Sequence, residues 1–273
     1  MPFEEVKRTL DLWIARKLAA VRFSGGEPTI WPGIVEAVAY CKGKIPRIAI
    51  SSNGSAPWSM YQDLIDAGAN DFSISLDACC AADGQKMAGV PFDKTFNTIV
   101  SNIKELSSRV YTTVGIVLTE ENVAKAKDII QFASDLGVSD IRVIPAAQFD
   151  SALDLPALPD ELLNKYPILK WRWKKMQKKA AVRGISEKSC HSCPLVIDDM
   201  AVMGGKHYPC IIYLREGGKP IGDVGEDMMA DRYRWYLQHD SSKDPICSKN
   251  CLDFCQEHNY TVMNLKHSWL FCY

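Results

Sequence analysis

Two groups of residues in this chain of 273 residues have types and spacing that could do chemistry. The first is Gly25-Gly26-Glu27-Pro28, reached through Ala20-Val21-Arg22-Phe23. The second is a run of thiols crowded into the last third: Cys190, Cys193, Cys210, Cys247, Cys251, Cys255 and Cys272. Paired glycines let main-chain carbonyls approach a ligand with no Cβ in the way. Those carbonyls and the Glu27 carboxylate make an acceptor-rich, negative spot that suits an ammonium group and repels a phosphate. No Gly-x-Gly-x-x-Gly and no Gly-Lys-Ser/Thr is present, so this is not a phosphate loop. A plainer reading of the same residues is a tight turn whose Glu27 caps the next helix. Thiolates are soft ligands that suit zinc or iron–sulfur clusters. Cys190-x2-Cys193 with a distant pair fits a zinc ribbon, although seven thiols exceed what one tetrahedral zinc uses.

These groups need elements to hold them. Val21 and Phe23 alternate with more polar neighbours, as in a short strand, and Pro28 stops its pairing. Ile34, Val35, Val38 and Ala39 then have helical spacing within Trp31 to Cys41. An opening helix is predicted from Phe3, Val6, Leu10, Trp13, Ile14 and Lys17. Further strands are predicted at 47–51, 71–76, 111–118 and 140–144, with helices at 58–67, 92–106 and 123–136 between them. Asn122 is the expected N-cap of the last of these, and residues 79–91 read as a loop. The alternation over residues 1–145 implies parallel strands and a (β/α) barrel, or part of one. In such folds ligands bind at the C-terminal ends of the strands, where the Gly-Gly-Glu turn sits. Residues 162–183 read as one basic, solvated helix.

Composition narrows the class. The chain is 47% hydrophobic and 24% charged, with a formal net charge of −1. That balance argues against a general nucleic-acid binder and against attraction to acidic membranes. No segment approaches the ~20 apolar residues of a membrane span, and the charged N-terminus lacks a signal core. The expectation is a cytoplasmic protein with no membrane and no nucleic-acid partner, whose thiols bind metal rather than pair.

Gly25-Gly26-Glu27-Pro28 resembles the Gly-Gly-Glu-Pro motif of radical S-adenosylmethionine (SAM) enzymes, which holds the amino group of SAM. The resemblance extends to Ser52-Asn53-Gly54, to Ser73 through Asp77 and to Ile144-Pro145. It implies an α/β fold: a partial (β/α)6 TIM-like barrel missing its first strand, followed by a small cysteine-rich domain. It implies that SAM is bound by Gly25, Gly26, Glu27, Pro28, Asn53, Ser75 and Asp77. Cys193-x11-Gly205-x4-Cys210 is similar to the SPASM/twitch extension of that family. The resemblance assigns Cys190, Cys193, Cys210 and Cys255 to an auxiliary [4Fe–4S] cluster, and leaves Cys247, Cys251 and Cys272 for a second one. The expected organisation is a barrel at 1–150, a connector and basic helix at 151–185, and the iron–sulfur domain at 186–273.

The family's catalytic cluster rides on a Cys-x3-Cys-x2-Cys loop, and no such triplet occurs in these residues. The chain as given is therefore expected not to cleave SAM until an upstream segment is restored. What the family implies is an oxidoreductase or maturase that makes a 5′-deoxyadenosyl radical. It would act on a peptide, protein or small molecule, with an electron from flavodoxin or ferredoxin. The alternative is a non-catalytic iron–sulfur or zinc protein that retains the scaffold. No catalytic side chain is assigned.

Overall fold

A computed structural model describes residues 1–88, 93–146, 153–178, 181–185 and 191–269. The chain divides into two compact units, Pro2–Ala180 and Ala181–Tyr273. The first opens with helix α1 (Phe3–Ile14) and then alternates β1 (Ala20–Phe23), α2 (Ile34–Cys41), β2 (Arg47–Ser52), α3 (Trp58–Ala67) and β3 (Asp71–Ser75). It continues with α4 (Ala81–Ala88), α5 (Asp93–Ser107), β4 (Tyr111–Leu118), α6 (Ala126–Asp135), β5 (Asp140–Pro145), α7 (Asp160–Lys165) and α8 (Pro167–Gln177).

All five strands pair in parallel and in chain order, with Phe23 opposite Ile50, Ile50 opposite Phe72 and Phe72 opposite Thr112. An order that never reverses is the winding of a barrel segment, not of a doubly wound sheet. Alternate strand residues, among them Ile48, Ile50, Phe72, Ile74, Val114, Ile116, Ile141 and Val143, are fully buried. They share the core with the apolar stripes of the helices, such as Ile34 and Val38 of α2 and Ile103 and Leu106 of α5. The intervening residues carry polar groups. Arg22 donates to Ser51 Oγ (2.8 Å), Arg142 donates to Ser73 Oγ (2.6 Å), and Arg47 pairs with Asp71.

Three elements differ from the sequence expectation. Residues 81–88 form α4, although Ala-Ala-Asp-Gly-Gln-Lys-Met-Ala offers no apolar stripe to read. The basic stretch is two helices, because Pro167 ends α7 at Tyr166 and then supplies the first residue of α8. Asp140 of β5 accepts from Ile168 N (3.1 Å) at the start of α8, and Leu169 and Trp173 are fully buried. Asn122 makes no side-chain cap. A short 3-10 turn at Val123–Lys125 precedes α6, and the Asn122 side chain turns back to β4.

The second unit contains α9 (Leu195–Asp198), β6 (Ala201–Met203), β7 (Lys206–Tyr208), α10 (Ile211–Arg215), β8 (Gly222–Asp223), α11 (Met228–Gln238), α12 (Cys247–Asn250) and α13 (Asp253–Trp269). β6 and β7 form a hairpin through Gly204 (φ 56°) and Gly205 (φ 69°), two left-handed positions in a row that favour glycine. β8 extends the hairpin to three antiparallel strands. Buried Arg232 of α11 ties the unit together: it donates to the carbonyls of Val196 (2.7 Å), Tyr208 (2.9 Å) and Pro209 (3.1 Å). No helix among the described residues is long and apolar enough to cross a membrane.

Candidate functional site

Glu27 follows β1 and precedes a 3-10 turn at Pro28–Ile30, which it caps. Its Oε1 accepts from Thr29 N (3.1 Å), Thr29 Oγ1 (2.7 Å) and Ser52 Oγ (2.9 Å). Its Oε2 accepts from Asn53 N at 2.7 Å. The carboxylate thus joins the turn after β1 to the turn after β2. Oε1 is saturated, while Oε2 takes one bond and keeps acceptor capacity. Ser52 spends its single proton on Glu27, so Tyr61 O–H must donate to Ser52 Oγ across their 2.8 Å contact. Burial raises the Tyr61 pKa and helps keep that proton in place.

Gly25 has φ 144°, and a Cβ built on Gly25 or Gly26 would meet nothing within 4 Å. The turn therefore opens onto free space beside the Glu27 carboxylate. That is what a main-chain cradle for an ammonium group requires. The capping reading and the ligand reading of Glu27 are compatible, because the cap uses one oxygen and leaves the other.

The neighbouring strand ends carry the remaining residues. Ser75 ends β3 and is exposed. Asn53 is exposed, and its Oδ1 accepts from Ser55 N (2.9 Å) and Ser55 Oγ (2.7 Å) in a side-chain turn. Asp77 Oδ1 accepts from Val117 N at 2.6 Å, and burial raises the Asp77 pKa against that bond. Asn122 donates to Val117 O (2.9 Å) and accepts from Thr119 N (2.8 Å), which fixes the end of β4 beside Asp77. Asn102 of α5, fully buried, donates to Gly54 O and Ala56 O, both at 2.8 Å, and pins the loop after β2. Thr29, Tyr61 and Asn102 escape a sequence reading of the site, and Ser52 is read there only as part of the Ser52-Asn53-Gly54 turn. Of the first three, only Asn102 left a signal there, as a polar residue on the apolar stripe Ile99, Ile103, Leu106.

Five of the seven candidate ligand cysteines lie in the described residues; Cys190 and Cys272 fall outside them. Cys210 precedes α10 and accepts from Tyr213 N at 3.5 Å. Asn259 Oδ1 accepts from Leu195 N (2.8 Å), which turns its Nδ2 toward Cys193 Sγ at 3.4 Å. Cys193, Cys210, Cys247 and Cys251 feel one another electrostatically, and Cys251 is hydrogen-bonded to buried Cys255. Members of the two ligand sets that the resemblance implies therefore converge on one region. Burial pushes the Cys210 thiol up to about 11 and raises Cys193 and Cys247 as well. These values describe thiols without a cation, and a bound metal reverses the sign by stabilising thiolate. Of this unit's histidines, His191 bonds Asp240 and Ser242, and His258 bonds Asp198. His239 lies beside Cys247, at 3.9 Å.

Residues 1–133 match the family model of the Radical SAM superfamily. Those residues, just under half of the chain, are similar to the radical SAM superfamily. Its members use SAM and a [4Fe–4S] cluster. Curated relatives include the GTP 3′,8-cyclase of Synechococcus elongatus, 29% identical over 153 residues, which are 53% of this chain and 44% of that protein. The molybdenum cofactor biosynthesis protein moc-5 of Caenorhabditis elegans is 31% identical over 155 residues, 53% of this chain and 24% of that one. The chain thus spans less than half the length of these relatives. Among solved structures, Streptococcus suis SuiB has a TM-score of 0.60 at 16% identity, covering 90% of this chain and 60% of SuiB. The protein anSMEcpe, with bound AdoMet and the Kp18Cys peptide, has a TM-score of 0.56 at 14% identity, covering 85% and 72%. At these identities the likeness is one of fold. It extends over both units, whereas the curated relatives match about half of the chain.

Proposed function

We propose that this chain is the SAM-binding barrel and auxiliary iron–sulfur unit of a radical SAM enzyme that modifies a peptide or protein. One observation carries the reading. The open Gly25-Gly26 turn lies beside a carboxylate pinned between two strand ends, with acceptor capacity left on Oε2. A SAM ammonium group fits that donor-hungry edge. Bound there, SAM would supply one-electron cleavage of its own carbon–sulfur bond, driven by a reduced [4Fe–4S] cluster.

This chain's residues would bind and orient. Glu27 and the Gly25-Gly26 carbonyls, followed by Pro28, would hold the amino group. Asn53, Ser75 and Asp77 would line the ribose side. Flavodoxin or ferredoxin would bring the electron. Cys190, Cys193, Cys210 and Cys255 would hold the auxiliary [4Fe–4S] cluster, with Asn259 steadying the Cys193 sulfur.

A peptide substrate is favoured because the structures that resemble both units include SuiB bound to its precursor peptide SuiA. A small molecule is the second reading, from the GTP 3′,8-cyclases that match the barrel. Iron and sulfide analysis of anaerobically purified chain tests the auxiliary cluster. We expect a brown protein with about four irons and four sulfides per chain. A colourless protein with zinc and no iron would establish a zinc-ribbon unit instead.

A further inference from the structure

His239 Nε2 lies 3.9 Å from Cys247 Sγ and 3.8 Å from Asp244 Oδ2, and the three donor atoms all fall within 4.8 Å of one another. Those separations are longer than good hydrogen bonds of ~3 Å. They are close to the edges of a coordination tetrahedron. Zinc bonds of about 2.0–2.3 Å place ligand atoms about 3.3–3.7 Å apart. The two His239 edges need contract by only a few tenths of an ångström to match. One imidazole nitrogen, one carboxylate oxygen and one thiol sulfur are a donor set that zinc accepts.

Each donor is already oriented. The His239 ring stacks on Trp235 with centroids 3.8 Å apart and stands edge-on to Tyr213. Asp244 Oδ1 accepts from Ile246 N and Cys247 N, both at 2.8 Å. Oδ2 takes the Tyr213 O–H at 3.0 Å and keeps a lone pair for an ion. A hydrogen bond to a ligating carboxylate is the usual outer support of a metal site. The His239 and Asp244 side chains are only 17% and 11% exposed, unlike a surface cluster of acids.

We propose that His239, Asp244 and Cys247 hold one zinc ion, distinct from the auxiliary iron–sulfur cluster. The fourth corner falls to water. The ion would staple the end of α11 to the start of α12. It uses none of the four cysteines assigned above to the cluster, so the two centres stand or fall separately.

The test uses full chain, expressed with zinc and purified anaerobically, with zinc and iron counted in the same sample. We expect about one zinc per chain in addition to the iron, and one sulfur in the zinc X-ray absorption shell. Competition with a zinc-specific chelator reads affinity. Tyr213→Phe replaces no ligand but removes the hydrogen bond to Asp244 Oδ2, and should weaken zinc by about 10–100-fold. His239→Gln should weaken it at least as much, with iron content unchanged. Zinc that is absent from the wild-type chain, or held equally by His239→Gln, overturns the proposal. So does Cys247→Ser if it loses iron, because Cys247 then belongs to the cluster. Failure of the cluster assignment itself would appear as low iron in the wild-type chain, and the one zinc lost in His239→Gln would still mark this site.

Discussion

At the scale of residues, the candidate SAM edge is held by polar side chains that each have a specific partner. Glu27 accepts four hydrogen bonds from three residues, two of them 25 and 26 positions away. Its charge and its type could be read in the sequence, as could the glycines before it. Its partners could not, because Ser52 and Asn53 reach it only when β1 and β2 pair in register. Asn102 is the clearest case. Its amide bonds two carbonyls of a loop 46 and 48 positions earlier. Replacing it with Ala would leave both carbonyls unpaired in a buried place. We expect Asn102→Ala to lower unfolding free energy by about 1–3 kcal/mol, measured by urea denaturation.

At the scale of elements, strands were the legible part. β2, β4 and β5 alternate or run β-branched between turn signals, and their expected bounds match those found to within a residue. Helices without an apolar stripe were not legible, which is why α4 read as a loop. The β6–β7 hairpin makes a prediction of its own. His207 is fully buried on β7, and its Nδ1 faces Arg232 Nη1 at 3.2 Å. Arginine donates, so the imidazole is neutral with its proton on Nε2. Burial first, and then Arg232, lowers its pKa to about 4, against smaller opposing effects of Asp231 and Asp223. Between that value and the usual ~6.5 the unfolded chain binds a proton that the folded chain refuses. This stability is therefore complete above about pH 6.5 and is lost as pH falls toward 4, by about 3 kcal/mol at most. His207→Gln should flatten that part of the pH–stability curve. An unchanged slope would show that the imidazole titrates normally.

At the scale of the whole molecule, the chain combines two units with different chemistry. The sheet offers an acceptor-rich edge for a cation, and the Ala181–Tyr273 unit offers converging thiols for metal. The barrel winding, the Gly-Gly-Glu turn and the cysteine-rich end could be read in the sequence because each is a local pattern. The convergence of Cys193, Cys210, Cys247 and Cys251, and the approach of His239 to Cys247, could not. They depend on how a hairpin and three short helices pack. In the proposed function, the β1 and β2 ends hold SAM through Glu27. Isothermal calorimetry of SAM binding to anaerobically reconstituted chain tests it most directly, comparing wild type with Glu27→Gln. The amide keeps the shape and removes the charge, and a hydrogen bond to a charged group contributes about 1.5–3 kcal/mol. We predict that wild type binds SAM and that Glu27→Gln binds it about tenfold or more weakly. Equal affinity in the two proteins would contradict the claim.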